Sequence, residues 1–245
     1  MNSDESSASP SIVGYQSWRQ LLFIHWRVEP ALLQSLLPKG LKIETFDGDA
    51  WIGLVPFSME RIRPWWAPPV PGISWFLETN VRTYVRYGNG QSGVWFFSLD
   101  ANQRLAVLVA RRYWHLNYQF AELALSVDEF RAEYSGQRPA AETSYQICAD
   151  LGRDVRLTEA EPGTLEHFLL ERYHLIAQAP NGTFLCGQVH HPPYQYRPAK
   201  LTSLSQTLTD AAGCRLQSDP AHVLFSPGVD VRVSGLQTLP RPSPV

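Results

Sequence analysis

Lysine is almost missing from this chain. Three lysines, Lys39, Lys42 and Lys200, stand against eighteen arginines. Any mechanism that needs a lysine has only those three to draw on. Cysteine is also scarce: Cys148, Cys186 and Cys214 are odd in number, far apart and without a C-x-x-C pair. That excludes a disulfide framework and a zinc knot, and predicts free buried thiols in a reducing, cytoplasmic setting. No apolar run approaches the ~20 residues of a membrane span. There is no long run of charge of one sign, and the formal net charge is −2. This speaks against a nucleic-acid partner and against an acidic membrane surface. There is no G-x-S-x-G elbow, Walker loop, H-E-x-x-H or dinucleotide glycine turn, so hydrolase, kinase, metalloprotease and nicotinamide readings lose their usual support. No metal and no cofactor is expected. The opening "MNSDESSASPSIVG" lacks the basic start and apolar middle of a signal peptide. Residues 1–14 are expected as a disordered tail, 15–239 as one domain and 240–245, "PRPSPV", as a flexible end.

Strand signals dominate what is present. "RQLLFIHWRV" is continuously apolar and aromatic, as a buried strand is. Pro30 opens a short helix, "PALLQSLL", which Pro38 and Gly40 stop. "LKIETF" and "AWIGLVPFSME" flank a "DGD" turn and predict a hairpin. "FLETNVRTYVRY" alternates, with Glu78, Asn80, Arg82, Tyr84 and Arg86 on one face and Leu77, Thr79, Val81, Thr83, Val85 and Tyr87 on the other. "GVWFFSLD" follows as its hairpin partner. Asp100 and Gln103 have capping-box spacing before "RLAVLVARRYW", which predicts a core helix ending near Asn117. "ELALSVDEFRAEYS" and "TSYQICADLG" are expected strands. Thr164 can cap "TLEHFLLERY", and an Asn-Gly turn joins "HLIAQAP" to "TFLCGQVHH". Ser205–Gly213 is expected as a short helix and "HVLFSPGVDVRVS" as a final strand or hairpin. Many hairpin-linked strands with a few helices make an α+β, mainly antiparallel domain. Closing it into a barrel or a strongly curved sheet protects its edges. Residues 61–75, "RIRPWWAPPVPGISW", hold four prolines and three tryptophans and are expected as a stiff loop, either an exposed lid or interface or a cap on the core.

Three groups of side chains could carry chemistry. On a strand facing a cavity, Glu78 could act as general acid or base and Arg82 could bind an anion; on an exterior strand the same face is merely wet. In "ARRYWHLNYQF", Arg111, His115, Tyr118 and Gln119 supply hydrogen-bonding groups, although cations at a helix end are also stabilised without any function. In "HHPPYQYRPAK", His190 and His191 are adjacent on a strand, point to opposite faces and are a poor metal pair.

The combination of "LLFIHWRV", "LLPKGLKIETFDGDAWIGLVPFSM", "ETNVRTYV" followed by "GVWFFSLD", and "FLLERYHL" followed by "VHHPPYQY" resembles the uncharacterised YqjF-type family over most of residues 18–200. That family is similar, more distantly, to acetoacetate decarboxylase. The resemblance implies a closed or cone-like antiparallel β structure with peripheral helices and an internal cavity. In the decarboxylase a lysine of lowered pKa forms a Schiff base with a β-keto acid. Its segment, Gly-Arg-Glu and then Pro-Lys-Lys four residues on, falls here on "ARRYWHLNYQF". Arg111 then takes the arginine's place and Asn117 the proline's, while Tyr118 and Gln119 stand where the two lysines would be; Glu78 corresponds to a glutamate of a cavity-lining strand. Neither Tyr118 nor Gln119 can form an imine, which argues against Schiff-base decarboxylation.

Three readings stay open at this level. One is a cavity that binds a small, partly apolar organic acid or ketone without covalent chemistry, with Arg82, Arg111 and Gln119 holding the ligand. The second is an acid–base enzyme of lyase, hydratase or tautomerase type, with Glu78 or His115 as base and Tyr118 as proton donor. The third is an interaction module using the Trp/Pro loop 64–75. The environment of Glu78 separates them, because a carboxyl enclosed in a cavity must titrate toward neutrality.

Overall fold

The computed structural model describes residues 11–240, apart from Asn89 and Asp154. Most of the two expected tails therefore lies outside the described residues, and Ile12 already opens the first strand. The main sheet runs through seven long strands: Ile12–Val28, Asp49–Pro64, Phe76–Tyr87, Gln91–Ala101, His174–Gln178, Phe184–His190 and His222–Ser234. His222–Ser234 pairs with both Ile12–Val28 and Phe184–His190, so the strand order returns on itself as a ring. Among these seven strands the pairings are antiparallel except where His174–Gln178 runs parallel to Gln91–Ala101. Two of the contacts that complete the ring are short: Leu175↔Val94 with Ile176↔Trp95, and Val189↔Val233 with His190↔Arg232.

A second, four-stranded sheet packs on the ring. Its order is Lys200–Gln206, Thr143–Asp150, Arg131–Arg138 and Glu122–Val127. Successive strand residues point to opposite faces, and this explains why "LLFIHW" is apolar throughout. Leu22, Ile24 and Trp26 pack outward with Tyr134, Tyr145 and Ile147 of the second sheet. Leu21 and Phe23 point into the ring with Val55, Phe57 and Met59. The Phe76–Tyr87 strand divides in the same way. Val81 joins the outer core, and Thr79 Oγ1 shares a 2.6 Å hydrogen bond with Tyr145 Oη. The two sheets are also clamped by charge: Arg138 Nε and Nη2 donate to the two carboxylate oxygens of Asp100 at 2.8 and 2.6 Å, and Nη2 reaches Ser98 Oγ at 2.9 Å. At Gly228, φ is +123° and a Cβ would lie 1.9 Å from the Trp18 carbonyl oxygen, so only glycine lets these two strands approach.

Several expectations need correction. Asp100 does not cap the helix after it, because Arg138 takes its carboxylate; Gln103 alone caps, accepting from the Leu105 amide at 3.2 Å. The helix is Arg104–Val109, continued by a wider π-turn, Ala110–Trp114, and it stops at His115 rather than Asn117. It is not a core helix. Val107 is buried, but Leu105, Leu108 and Val109 are 45%, 64% and 43% exposed. Arg61–Pro64 belongs to a strand rather than the loop, since Gly14 and Tyr15 pair with Pro64 and Arg63. The rest of the Trp/Pro segment does not cap the core: Trp65 and Trp66 are 62% and 71% exposed. Ser205 and Gln206 finish a strand paired with Gln146 and Tyr145, which leaves Leu208–Ala211 as the helix. Cys186 and Cys214 are buried free thiols, and Cys148 is partly buried.

Candidate functional site

The inner face of Phe76–Tyr87 carries Glu78, Asn80 and Arg82 into a pocket of about 230 Å³. Its walls are mostly apolar, from Val55, Phe57, Met59, Val94, Phe96 and Leu170. Tyr118 reaches the same space from the first position of a short strand, Tyr118–Phe120, which lies parallel to Gln91–Ala101. Its hydroxyl donates to Glu78 Oε2 at 2.7 Å.

Burial dominates the titration of this pair. Loss of water raises the Glu78 carboxyl to about 7, a shift that the bonds from Tyr118 and Asn80 oppose and Asp100 reinforces. The Tyr118 hydroxyl is pushed well above its ordinary range by burial and then by the adjacent Glu78. Near neutral pH the carboxyl is thus shared between its two forms, while the phenol keeps its proton. A group in that condition can both take and give a proton.

The other polar end is cationic. Arg82 Nη2 donates to the Leu169 carbonyl at 3.0 Å, its Nε is buried without a partner, and no carboxylate among the described residues pairs with it. Arg172 lies beside it, bonded to Glu44 at 2.7 Å. Glu44 also serves Arg86 at 2.8 Å, so one carboxylate offsets two guanidinium groups and the charge of Arg82 is left over. Behind it, Tyr84 Oη donates to the Leu169 carbonyl at 2.8 Å and stands 2.7 Å from His25 Nε2, which must therefore be the donor of that contact. Burial first, and Arg82 second, keeps the His25 pKa well below the usual histidine range. A neutral His25 adds no further charge.

The structure brings Glu78, Arg82 and Tyr118 together. Arg111, His115 and Gln119 do not line the pocket. Arg111 Nε donates to the Tyr118 carbonyl at 2.5 Å and Nη2 to Gln119 Oε1 at 3.1 Å, so the two brace the short strand from outside. Strand alternation is the reason, since Tyr118 turned inward sends Gln119 outward. His115 takes the left-handed conformation, φ 53°, that ends the helical segment. Asn80, Arg172, His174 and Tyr194 also line the pocket and were not singled out. Arg172 and His174 are two residues apart where the Asn-Gly hairpin begins, and that shared side was the available signal. Among the described residues no three His, Cys, Asp or Glu side chains gather as a metal site requires, and no helix is long and apolar enough to cross a membrane.

Both the sequence and the fold have known relatives. The profile of the DUF2071 family, described as an uncharacterized conserved protein, matches residues 15–230. The uncharacterized protein YqjF of Bacillus subtilis is 36% identical over 206 residues, covering 84% of each chain. Among solved structures, an acetoacetate decarboxylase-like enzyme from Sphingomonas wittichii RW1 superposes with a TM-score of 0.67 at 14% identity, covering 98% of this chain and 99% of its own. Acetoacetate decarboxylase from Legionella pneumophila gives 0.63 at 14% identity, over 98% and 92% of the two chains. The enduracididine biosynthesis enzyme MppR, complexed with a condensation product of pyruvate, gives 0.64 at 13% identity, over 96% and 92%. At such identities the likeness is one of fold. The chain belongs to the DUF2071 family of uncharacterized conserved proteins, on the fold seen in acetoacetate decarboxylase-like structures.

Proposed function

We propose that the ring encloses a binding cavity for a small, partly apolar organic acid, held without Schiff-base chemistry. The observation that carries this reading is Arg82, a buried guanidinium with an unpartnered Nε and no carboxylate partner among the described residues. An uncompensated buried charge is costly, and a ligand carboxylate would relieve that cost with charge-assisted bonds. The apolar walls suit the remainder of such a molecule. A carbonyl or hydroxyl on it would meet the Glu78–Tyr118 pair.

Thermal-shift and calorimetric titration with propionate, butyrate and 2-oxobutyrate tests the reading. Binding that is retained in part by Arg82→Lys and lost in Arg82→Gln supports it. A folded wild-type protein indifferent to every monocarboxylate overturns it.

The state of Glu78 favours a second reading, acid–base turnover of the same ligand. Half-protonated near neutral pH and fed by a phenol, Glu78 is equipped to move a proton at the carbon beside a carbonyl. Exchange of deuterium from solvent into bound 2-oxobutyrate, lost in Glu78→Gln with binding kept, would establish it.

A further inference from the structure

Leu32, Phe130, Val155 and Leu157 are exposed elsewhere on the surface, but the other large exposed apolar side chains among the described residues fall in two segments. Trp65, Trp66, Val70, Ile73 and Trp75 come from the Trp/Pro segment, and Leu105, Leu108, Val109 and Tyr113 from the helix and π-turn. The two segments meet where Gln103 Nε2 donates to the Gly72 carbonyl at 2.6 Å and where Leu77 and Asn102 exchange bonds. Val109 belongs to this surface and to the wall of the pocket, as do its neighbours Ala106 and Ala110. The apolar patch is thus the rim of the pocket.

Its charge is one-sided. Residues 61–75 and 101–121 hold five arginines and no aspartate or glutamate, in a chain whose formal net charge is −2. Arg61 lies toward Asp230 and is partly offset by it. Arg63, Arg104, Arg111 and Arg112 make no ion pair among the described residues; Arg63 and Arg104 lie over the Tyr15 and Phe120 rings at 4.3 and 3.8 Å. Exposed tryptophan and tyrosine interleaved with arginine fit the boundary between headgroups and acyl chains, where the rings bury apolar area and the cations meet anionic lipid. A second copy seated symmetrically on the patch would set arginines against arginines.

We propose that this rim docks on an anionic lipid surface, with the pocket opening toward the bilayer. The net charge argued against such a surface because it averages this face with the rest of the molecule. The docking does not depend on what the pocket holds. A partly apolar ligand would, however, pass between lipid and protein without crossing water.

Flotation of the full chain with vesicles tests this directly. One set is phosphatidylcholine alone and the other phosphatidylcholine with phosphatidylglycerol, two to one. Binding is expected on the anionic vesicles, falling as salt rises. Trp65→Ser with Trp66→Ser should abolish it, and Arg104→Gln with Arg112→Gln should weaken it by roughly an order of magnitude. Circular dichroism should be unchanged in both, since these side chains are exposed; the melting temperature should hold in the tryptophan variant and fall only slightly in the arginine one, which loses the Arg104 contact with Phe120. Absence of flotation with the anionic vesicles overturns the proposal. So does a concentration-dependent oligomer or acidic-protein complex that the tryptophan variant loses while lipid binding stays nil.

Discussion

Tyr118 Oη donates to Glu78 Oε2 across 2.7 Å, joining a ring strand to a three-residue strand that begins forty residues later. The acceptor is the group whose titration burial disturbs toward neutrality. That coupling gives the first two predictions.

Stability should depend on pH through Glu78. Its folded pKa, about 7, lies above the ordinary 4.5, so the native state holds the proton more tightly than the unfolded one. The contribution is complete below about pH 4.5 and is lost as pH rises through about 7, a difference of roughly 3 kcal/mol. Glu78→Gln, which keeps the neutral shape, should flatten that part of the profile and exceed the wild type in stability above pH 7. Urea unfolding from pH 4 to 8 measures it; parallel curves for the two proteins would refute the assignment.

Tyr118→Phe should move the Glu78 titration further up, because the lost hydrogen bond was lowering it. It should also cost about 1–3 kcal/mol by leaving a buried oxygen unpaired. Carbon-detected NMR of the carboxyl reads the first effect. An unchanged or lower value would mean that the 2.7 Å contact does not persist in solution.

Asp100→Ala should destabilise by about 3–5 kcal/mol, since Arg138 would be left almost wholly enclosed without its carboxylate. A loss under about 1 kcal/mol in chemical unfolding would show that packing, not this pair, holds the two sheets together.

Borohydride reduction in the presence of acetoacetate or pyruvate should leave the mass of the protein unchanged. None of Lys39, Lys42 and Lys200 lines the pocket, and Tyr118 holds the place that the resemblance gives to a lysine. A trapped adduct on any lysine would reverse the non-covalent reading.

The sequence revealed alternation better than closure. Glu78, Asn80 and Arg82 could be put on one face from spacing alone, and that face lines the pocket. What spacing left open was which face of the strand looks inward. This depends on the second sheet covering Thr79 and Val81, a contact between residues far apart in the chain. The apolar run at Leu105–Val109 predicted a helix and a core position, and only the helix was found. Hydrophobicity reports a tendency to be covered, and here no other part of the described chain provides the cover. Gln119 and His115 were chosen for their chemistry, but a strand's two-residue period and a left-handed turn point them elsewhere. Arg172 and His174 escaped notice because their partners, Glu44 and His190, lie on other strands or loops.

The strand His222–Ser234 completes the ring by pairing with Ile12–Val28. Of the strands among the described residues, Ile12–Val28 is made before the others and therefore waits for a partner near the other end of the described chain. Until then it has the Asp49–Pro64 strand on one side and an open row of amides and carbonyls on the other. Such long-range closure folds slowly, and its half-built intermediates can capture one another. Yield on expression should therefore depend on how long that edge stays bare, and slower synthesis, by prolonging the wait, should not help this protein as it helps chains built from local contacts.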